Sequence, residues 1–492
     1  MDDGTIVGRR SDLQKVFDLL SNEGPNLGLQ LNPAKSSVWC GSHLPSGLVD
    51  TDPLARGVPP SAAAGYHLLG APIGNIPFSR DVVEKRIQKI AEIFDQLPTI
   101  DDAQTEFALL RSCFSLPKLS YCLRTCDPAH LLPTYKHFDS LQIATFSQQF
   151  GRPLCVNSKT QAFLPVKMGG VGLRSAENHS SAAFIASNIR SRPAVDKVLS
   201  PHVTRRSLHN AFILLQKQTG NATFTSEELL PPNSDQHSLS REIDAFHGKA
   251  LLAQASPRDS ARLLSLSLPH AGDFLDAVPS TSLGLHMDTR SFGVAVGYRL
   301  GLPILKPEEC RAITCNQQSD ATGDHAMHCH DDNGLKSGRH YRIRDLIFKE
   351  AQHASLNPKK EMPGLVPNSQ SRPADVYIAN WIDGRKMAFD VSVTSPTQVA
   401  VLHRAADSAA AAIDMRKSSK NRAHFDNCRG QGIVFQPLVV ETFGGWDTDA
   451  AKFLKDIARL DARRWGKIDS IEIKHFFQRL CCPTTWKRSP TD

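Results

Sequence analysis

RPADVYIANWIDGRKMAFDVSVTS, residues 372–395, reads as two short strands around a tight turn, yet it holds aspartates at 375 and 390 and a lysine at 386. Asp383-Gly384 is a strong two-residue turn signal, because a type I′ turn needs positive φ at both central positions. Such a turn pairs Ile382 with Arg385. It sets Asp375 opposite Ser392, Tyr377 opposite Asp390 and Trp381 opposite Lys386. Alternation then places Asp375, Tyr377, Lys386, Asp390 and Ser392 on one face, with Val376, Ile378, Met387, Phe389, Val391 and Val393 on the other, the core face. The two aspartates fall in diagonal register, Cα atoms about 7–8 Å apart, near enough to bind one ion. Paired carboxylates suit Mg²⁺ or Mn²⁺, and such an ion polarises a phosphodiester and acidifies a bound water. A nearby lysine can help deprotonate that water or neutralise the developing charge. A solvated hairpin face has the same composition.

The rest of the chain bounds what such a site can serve. Its 492 residues imply several domains, and 40% hydrophobic with 22% charged residues argues against wholesale disorder. The net charge of +7 is compatible with a polyanionic partner but is mild for this length. No apolar run is long enough for a membrane span, and MDDGTIVGRRSD lacks the core of a secretory signal. Eleven cysteines in a chain of this kind suggest reduced thiols or a metal site rather than a disulfide framework.

Helical periodicity is clear in SDLQKVFDLLSNEG (11–24), with Leu13, Val16, Phe17 and Leu20 on one face and Ser11 as its cap. It recurs in DVVEKRIQKIAEIFDQL (81–97), with Val83, Ile87, Ile90 and Phe94 in a stripe. A Pro/Gly/Ala-rich connection lies at 50–65. Short helical pieces with breakers fill 191–300, including a flexible insert near 218–238. After 301 come a Cys/His cluster, a helix, strands and an alanine-rich helix (398–416). The strand-like IVFQPLVVETF (433–443) and two amphipathic helices follow. In CRAITCNQQSDATGDHAMHC (310–329), Cys310, Cys315, His325 and Cys329 are spaced to wrap one tetrahedral Zn²⁺, with His328, His330 and His340 as alternatives to His325. A thiol pair beside surface histidines is the competing reading.

Arg372-Pro-Ala-Asp375 followed by Asp390 resembles the PD-(D/E)xK pattern of restriction-enzyme-like endonucleases. It looks most like the version at the C-terminus of non-LTR retrotransposon polyproteins, where a zinc knuckle precedes an (R/K)PD motif, a second acid and a KxxK. Lys417-Ser-Ser-Lys420 matches that KxxK, just after a helix opened by Ser395 and Pro396. Two departures stand out. Ala374 interrupts the motif, and Ser392 occupies the place of the catalytic lysine in simpler nucleases, so that role passes to Lys386, Lys417 or Lys420. Glu350 and Glu441 are further ligand candidates, Glu350 being more easily read as an exposed helical residue. Arg372, Arg416 and Arg422, with the two lysines, form a basic rim for phosphates.

The opening Met1-Asp2-Asp3, then NPAK (32–35) and LLGAPIG (68–74), is similar to a reverse transcriptase palm entered at its MDD box, with Lys35 the lysine of the next motif. LPVKMGGVGLRS (164–175) resembles the post-thumb segment, though Gly169-Gly170 also reads as an ordinary turn. The resemblance implies a multidomain α+β chain: a partial reverse transcriptase palm (1–80), a helical thumb-like region (81–190), a helical connector (191–300), a zinc knuckle (301–340), an α/β restriction-endonuclease-like domain (341–446) and C-terminal helices (447–492). It implies metal-dependent nicking of target DNA, whose 3′-OH primes reverse transcription of the element's RNA in the nucleus, with no membrane partner. The palm aspartate of an earlier motif does not occur in this chain. Asp2 and Asp3 are therefore expected to support RNA-directed DNA polymerase activity only in an intact parent protein. A catalytically inactive nucleic-acid-binding relic and a cellular DNA-repair nuclease are the alternatives.

Overall fold

Strand placement in the C-terminal part follows from its runs of β-branched and aromatic residues, which fill a pleated surface without voids. The computed structural model describes residues 4–6, 8, 10–32, 36, 65–197, 206–231, 234–310, 315–329, 335–367 and 372–481. Within them the chain is mixed helix and sheet, predominantly helical with small sheets. Asp2, Asp3, Lys35 and most of the 50–65 connection lie outside the described residues.

Two compact units emerge: Met1–Glu92 with Lys118–Asp139 and Ala176–Ser240, and Ile93–Pro117 with Ser140–Ser175 and Arg241–Asp492. The first contains α1 (Arg10–Glu23), which begins one residue ahead of Ser11, and the hairpin β1 (Gly65–Leu68) and β2 (Ala71–Gly74). That hairpin pairs Leu68 with Ala71 across Leu69 and Gly70, at φ +48° and +82°, so LLGAPIG closes in a two-residue turn. In α2 (Ile76–Gln96), Val83, Ile87, Ile90 and Phe94 are all buried, as their spacing requires. Of the helices that follow, α4 (Leu116–Thr125), α7 (Ala176–Val195) and α8 (Arg206–Thr219) fall mainly in the first unit, α3 (Ala103–Leu109) and α6 (Val156–Phe163) in the second, and α5 (Pro128–Gln149) and α9 (Gln236–Ala253) are divided between the two.

The second unit holds α10 (Pro257–Ser265), α11 (Thr289–Leu300), the short pair β3 (Glu308–Glu309) and β4 (Gln318–Ser319), α12 (Asp324–His328) and α13 (Leu335–His353). Then come β5 (Lys359–Lys360), β6 (Val376–Ile378), β7 (Lys386–Thr394), α14 (Val399–Ala405), α15 (Ala411–Arg429), β8 (Ile433–Glu441), α16 (Thr448–Arg464) and α17 (Asp469–Cys481). The sheet order is β5-β6-β7-β8, antiparallel except for the parallel β7–β8 pair. A parallel pair needs a crossover, and α14 and α15 supply it.

The core face of the hairpin is as its alternation requires. Val376, Ile378, Met387, Phe389 and Val391 pack with Ile343 and Ile347 of α13, and with Leu454, Phe476 and Phe477 of α16 and α17. The segments expected at 341–446 and 447–492 thus share one apolar core. The opposite face is covered too, because Tyr377 and Ala388 pack with Cys428, Ile433 and Phe435 beneath α15. A solvated hairpin face is excluded by that burial, since a parallel pair flanked by helices is buried on both sides.

The expected register is corrected by two residues. Gly384, at φ +78°, donates to the Trp381 carbonyl at 2.8 Å, while the Trp381 N–H donates to Arg385 O at 2.9 Å. The loop is therefore Ile382–Gly384 with glycine in the left-handed position, longer than the type I′ turn the Asp-Gly pair suggested. Val376 pairs with Phe389 and Ile378 with Met387. One step further along, Asp375 comes level with Asp390 rather than with Ser392, bringing the two Cα atoms to about 4.5–5.5 Å instead of a longer diagonal.

Arg299 holds the front of this unit together. Fully buried at the end of α11, it donates to the carbonyls of Gly170 (2.9 Å), Ala271 (2.9 Å) and Val166 (2.6 Å). Gly170 is more than a turn residue there, because a Cβ would lie 1.9 Å from Leu164 O.

Phe389→Ala tests the shared core. It should cost about 3–5 kcal/mol, measured by urea unfolding. Intrinsic fluorescence and far-UV circular dichroism should follow one transition if the sheet and the two final helices unfold together.

Candidate metal and phosphodiester site

Asp375 stands just ahead of β6, and Asp390 is on the same side of the central strand β7. One Asp375 oxygen accepts from the Val391 N–H at 2.7 Å, and the other lies 3.1 Å from His340 Nε2 on α13. Asp390 is 6% exposed and is met by Lys420 of α15, whose Nζ is 3.0 Å from Oδ1 and 2.8 Å from Oδ2. Burial raises the Asp390 carboxyl against the pull of Lys420, and the adjacent Asp375 charge adds to the rise. Burial acts on Asp375 in the same direction. There the His340 and Val391 hydrogen bonds prevail and hold it below the usual carboxylate range.

Lys386, Lys417 and Lys420 were equal candidates in sequence, and the fold separates them. Lys386 is exposed at the start of β7, about 13 Å along the strand from Asp390. Lys417 lies 3.1 Å from both Asp447 oxygens and 2.8 Å from Asp449. Lys420 alone of the three touches an acid of the pair. Both lysines sit inside α15, not after a helix, because the alanine-rich stretch breaks into α14 and α15. Ser392 is buried two residues beyond Asp390, and its hydroxyl has no hydrogen-bond partner among the described residues. Arg416 and Arg422 are exposed on α15, and Arg372 is exposed 3.4 Å from Glu361.

Glu350 is corrected from exposed to buried. It lies on the far part of α13 with Asp461 and Glu472, where Arg479 meets it at 3.0 Å. Burial pushes it to about 7 against the pull of Arg479. Glu441 is also outside the aspartate pair. It is buried at the end of β8 against the Ser265 hydroxyl of α10, and burial raises it to about 8.

The residue missed in sequence is His340, read there only as an alternative zinc ligand. Its helical position gave no sign that α13 would carry it to Asp375.

The cysteine–histidine group converges as its spacing suggests. Cys310, Cys315, His325 and Cys329 offer ligand atoms all within 4.8 Å of one another. Cys310 Sγ is 3.8 Å from Cys329 Sγ, and Cys315 Sγ is 3.5 Å from His325 Nε2. A tetrahedral zinc with ordinary bond lengths has S–S edges of about 3.75 Å and S–N edges of about 3.55 Å. The group can therefore hold a metal such as zinc. Its frame is built from polar contacts: Asp320 accepts from the His325 and Asp324 N–H groups, and Arg258 of α10 grips Asp324 at 2.6 and 3.1 Å. Arg339 of α13 donates to Met327 O at 2.8 Å, which joins the cysteine–histidine element to the sheet domain.

The chain matches no protein-family model, and no curated protein matches it.

Two outcomes follow. Freshly purified protein should carry one zinc by elemental analysis, and the Cys310→Ser/Cys315→Ser variant should lose it together with thermal stability. Glu441 has a folded pKa above its unfolded one, so its contribution is complete below about pH 4.5 and is lost as pH rises through about 8. Denaturant midpoints should therefore fall over that window in the wild type and fall less in Glu441→Gln, which should be the more stable protein at pH 9.

Proposed function

We propose that this chain carries a metal-dependent DNA endonuclease site of the restriction-enzyme-like kind, within the C-terminal part of a non-LTR retrotransposon polyprotein. The observation that carries the reading is the levelling of Asp375 with the buried Asp390, whose two carboxylate oxygens both lie within 3.0 Å of the Lys420 ammonium. Two adjacent carboxylates with the Ser392 hydroxyl on the same strand fit a hard divalent cation, which would share Asp390 with the Lys420 ammonium. Asp375 and Asp390 would hold Mg²⁺ or Mn²⁺, which when bound supplies Lewis-acid activation of a phosphodiester and an acidified water.

The chain's own groups divide the remaining work. Lys420 places a positive charge against the pair, where it offsets charge developing on the phosphate. His340 fixes the orientation of Asp375. Arg372, Arg416 and Arg422 contact backbone phosphates and set the strand's position without reading sequence. The Cys310–Cys329 element, loaded with zinc, is a structural knuckle that orients DNA. Under this reading the nicked target primes reverse transcription of the element's RNA in the nucleus.

With Mg²⁺ or Mn²⁺, the purified chain should nick supercoiled plasmid, and Asp375→Ala and Asp390→Ala should each reduce nicking to background. Lys420→Ala should slow it about 10²–10³-fold, whereas Lys417→Ala should stay close to wild type because Asp447 and Asp449 occupy that ammonium. Circular dichroism separates these effects from unfolding. Undiminished nicking by folded Asp375→Ala overturns the assignment, and absence of nicking by a metal-loaded wild type favours the inactive relic.

A further inference from the structure

Tyr341 follows His340 on α13 and is 47% exposed, the one large aromatic at that end of the helix open to solvent among the described residues. Its ring is held in place. The Arg344 guanidinium lies 4.6 Å over it, and that guanidinium is itself fixed by Asp345 at 2.9 Å and by Glu361. Glu361 is tied to the aspartate pair, since its N–H donates to Asp375 O at 3.1 Å, and it also meets Arg372. His340 spans the remaining gap. Its ring packs edge-on to Tyr341 with centroids 5.4 Å apart, while its Nε2 reaches Asp375 at 3.1 Å.

A lone exposed tyrosine means little. A tyrosine clamped from one side by a guanidinium with both ends anchored has already lost most of its freedom, so a planar ligand stacking on the open side costs little further order. The ligand must be compatible with cations at the rim and with a phosphate-handling site one side chain away. A nucleobase meets both conditions, because bases stack on aromatic rings in a sequence-tolerant way and their phosphates favour the exposed Arg372. Inside a duplex both faces of a base are covered by its neighbours, so only an unpaired or extruded base can reach such a ring.

We propose that Tyr341 is a stacking platform for an unpaired nucleobase of the DNA strand next to the cleaved phosphodiester, so that the preferred substrate has a disrupted base pair at the nick. This rests on the nuclease reading above and adds its substrate class.

The test uses the full zinc-loaded chain and a duplex oligonucleotide with one unpaired 2-aminopurine, without added Mg²⁺ or Mn²⁺ so that no cutting occurs. Binding should quench the 2-aminopurine fluorescence as the base stacks. Tyr341→Ala should abolish the quench and reduce the preference for unpaired-base DNA over continuous duplex about tenfold, while Tyr341→Phe should retain both, since stacking needs the ring and not the hydroxyl. Circular dichroism confirms that the variants are folded. Quenching and preference unchanged in Tyr341→Ala, with Asp375-dependent nicking intact, would overturn the platform and leave the nuclease reading standing. A Tyr341-dependent quench in a chain that never nicks would support the platform and count against the nuclease. No DNA binding by the wild type would overturn both.

Discussion

A carboxylate in the middle of a strand covered on both faces is the constraint around which the C-terminal unit is organised. β7 is hydrogen-bonded to β6 on one side and β8 on the other, and helices lie over both faces. Asp390 on that strand is cut off from water, and an uncompensated buried charge is costly. Lys420 meets the demand, which requires α15 to dock with its Lys420 side facing the sheet. The parallel β7–β8 pair requires a crossover in the same place. Topology and charge therefore ask for the same helix. Lys417, one turn earlier, meets Asp447 and Asp449 at the start of α16 and so couples the crossover helix to the last two helices.

The cysteine–histidine element is joined to this domain through arginines. Arg258 reaches it from α10 and Arg339 from α13, while Ile304, Met327, Tyr298 and Phe443 form an apolar patch that includes the segment just after β8. The chain from Arg241 onward, with the cysteine–histidine element and the sheet, thereby belongs to one compact unit. Under the proposed function, zinc would stiffen the approach to the aspartate pair rather than take part in the chemistry.

The helical stripe Val83, Ile87, Ile90 and Phe94 and the apolar side of the hairpin were readable from period alone, since burial follows side-chain direction. The convergence of Cys310, Cys315, His325 and Cys329 was readable from residue type and spacing. The register was not. Asp-Gly suits either a two-residue turn or a three-residue loop with glycine left-handed, and the choice depends on how Trp381 packs among Phe389 and Phe453. Nor could sequence divide the work among three lysines. Whether Lys417 or Lys420 faces Asp390 depends on the docking angle of α15, and the competitor Asp447 lies 30 residues away. Glu350 was misjudged because its partner, Arg479, comes from the last helix, beyond any local pattern.

The proposed function requires that Asp375 and Asp390 together hold a divalent cation. Mn²⁺ binding to the zinc-loaded chain, followed by electron paramagnetic resonance, tests it most directly. One bound Mn²⁺ in the wild type and none in an Asp375→Ala/Asp390→Ala variant that keeps its zinc and its fold is the result the account predicts. Undiminished Mn²⁺ binding by that double variant would contradict it.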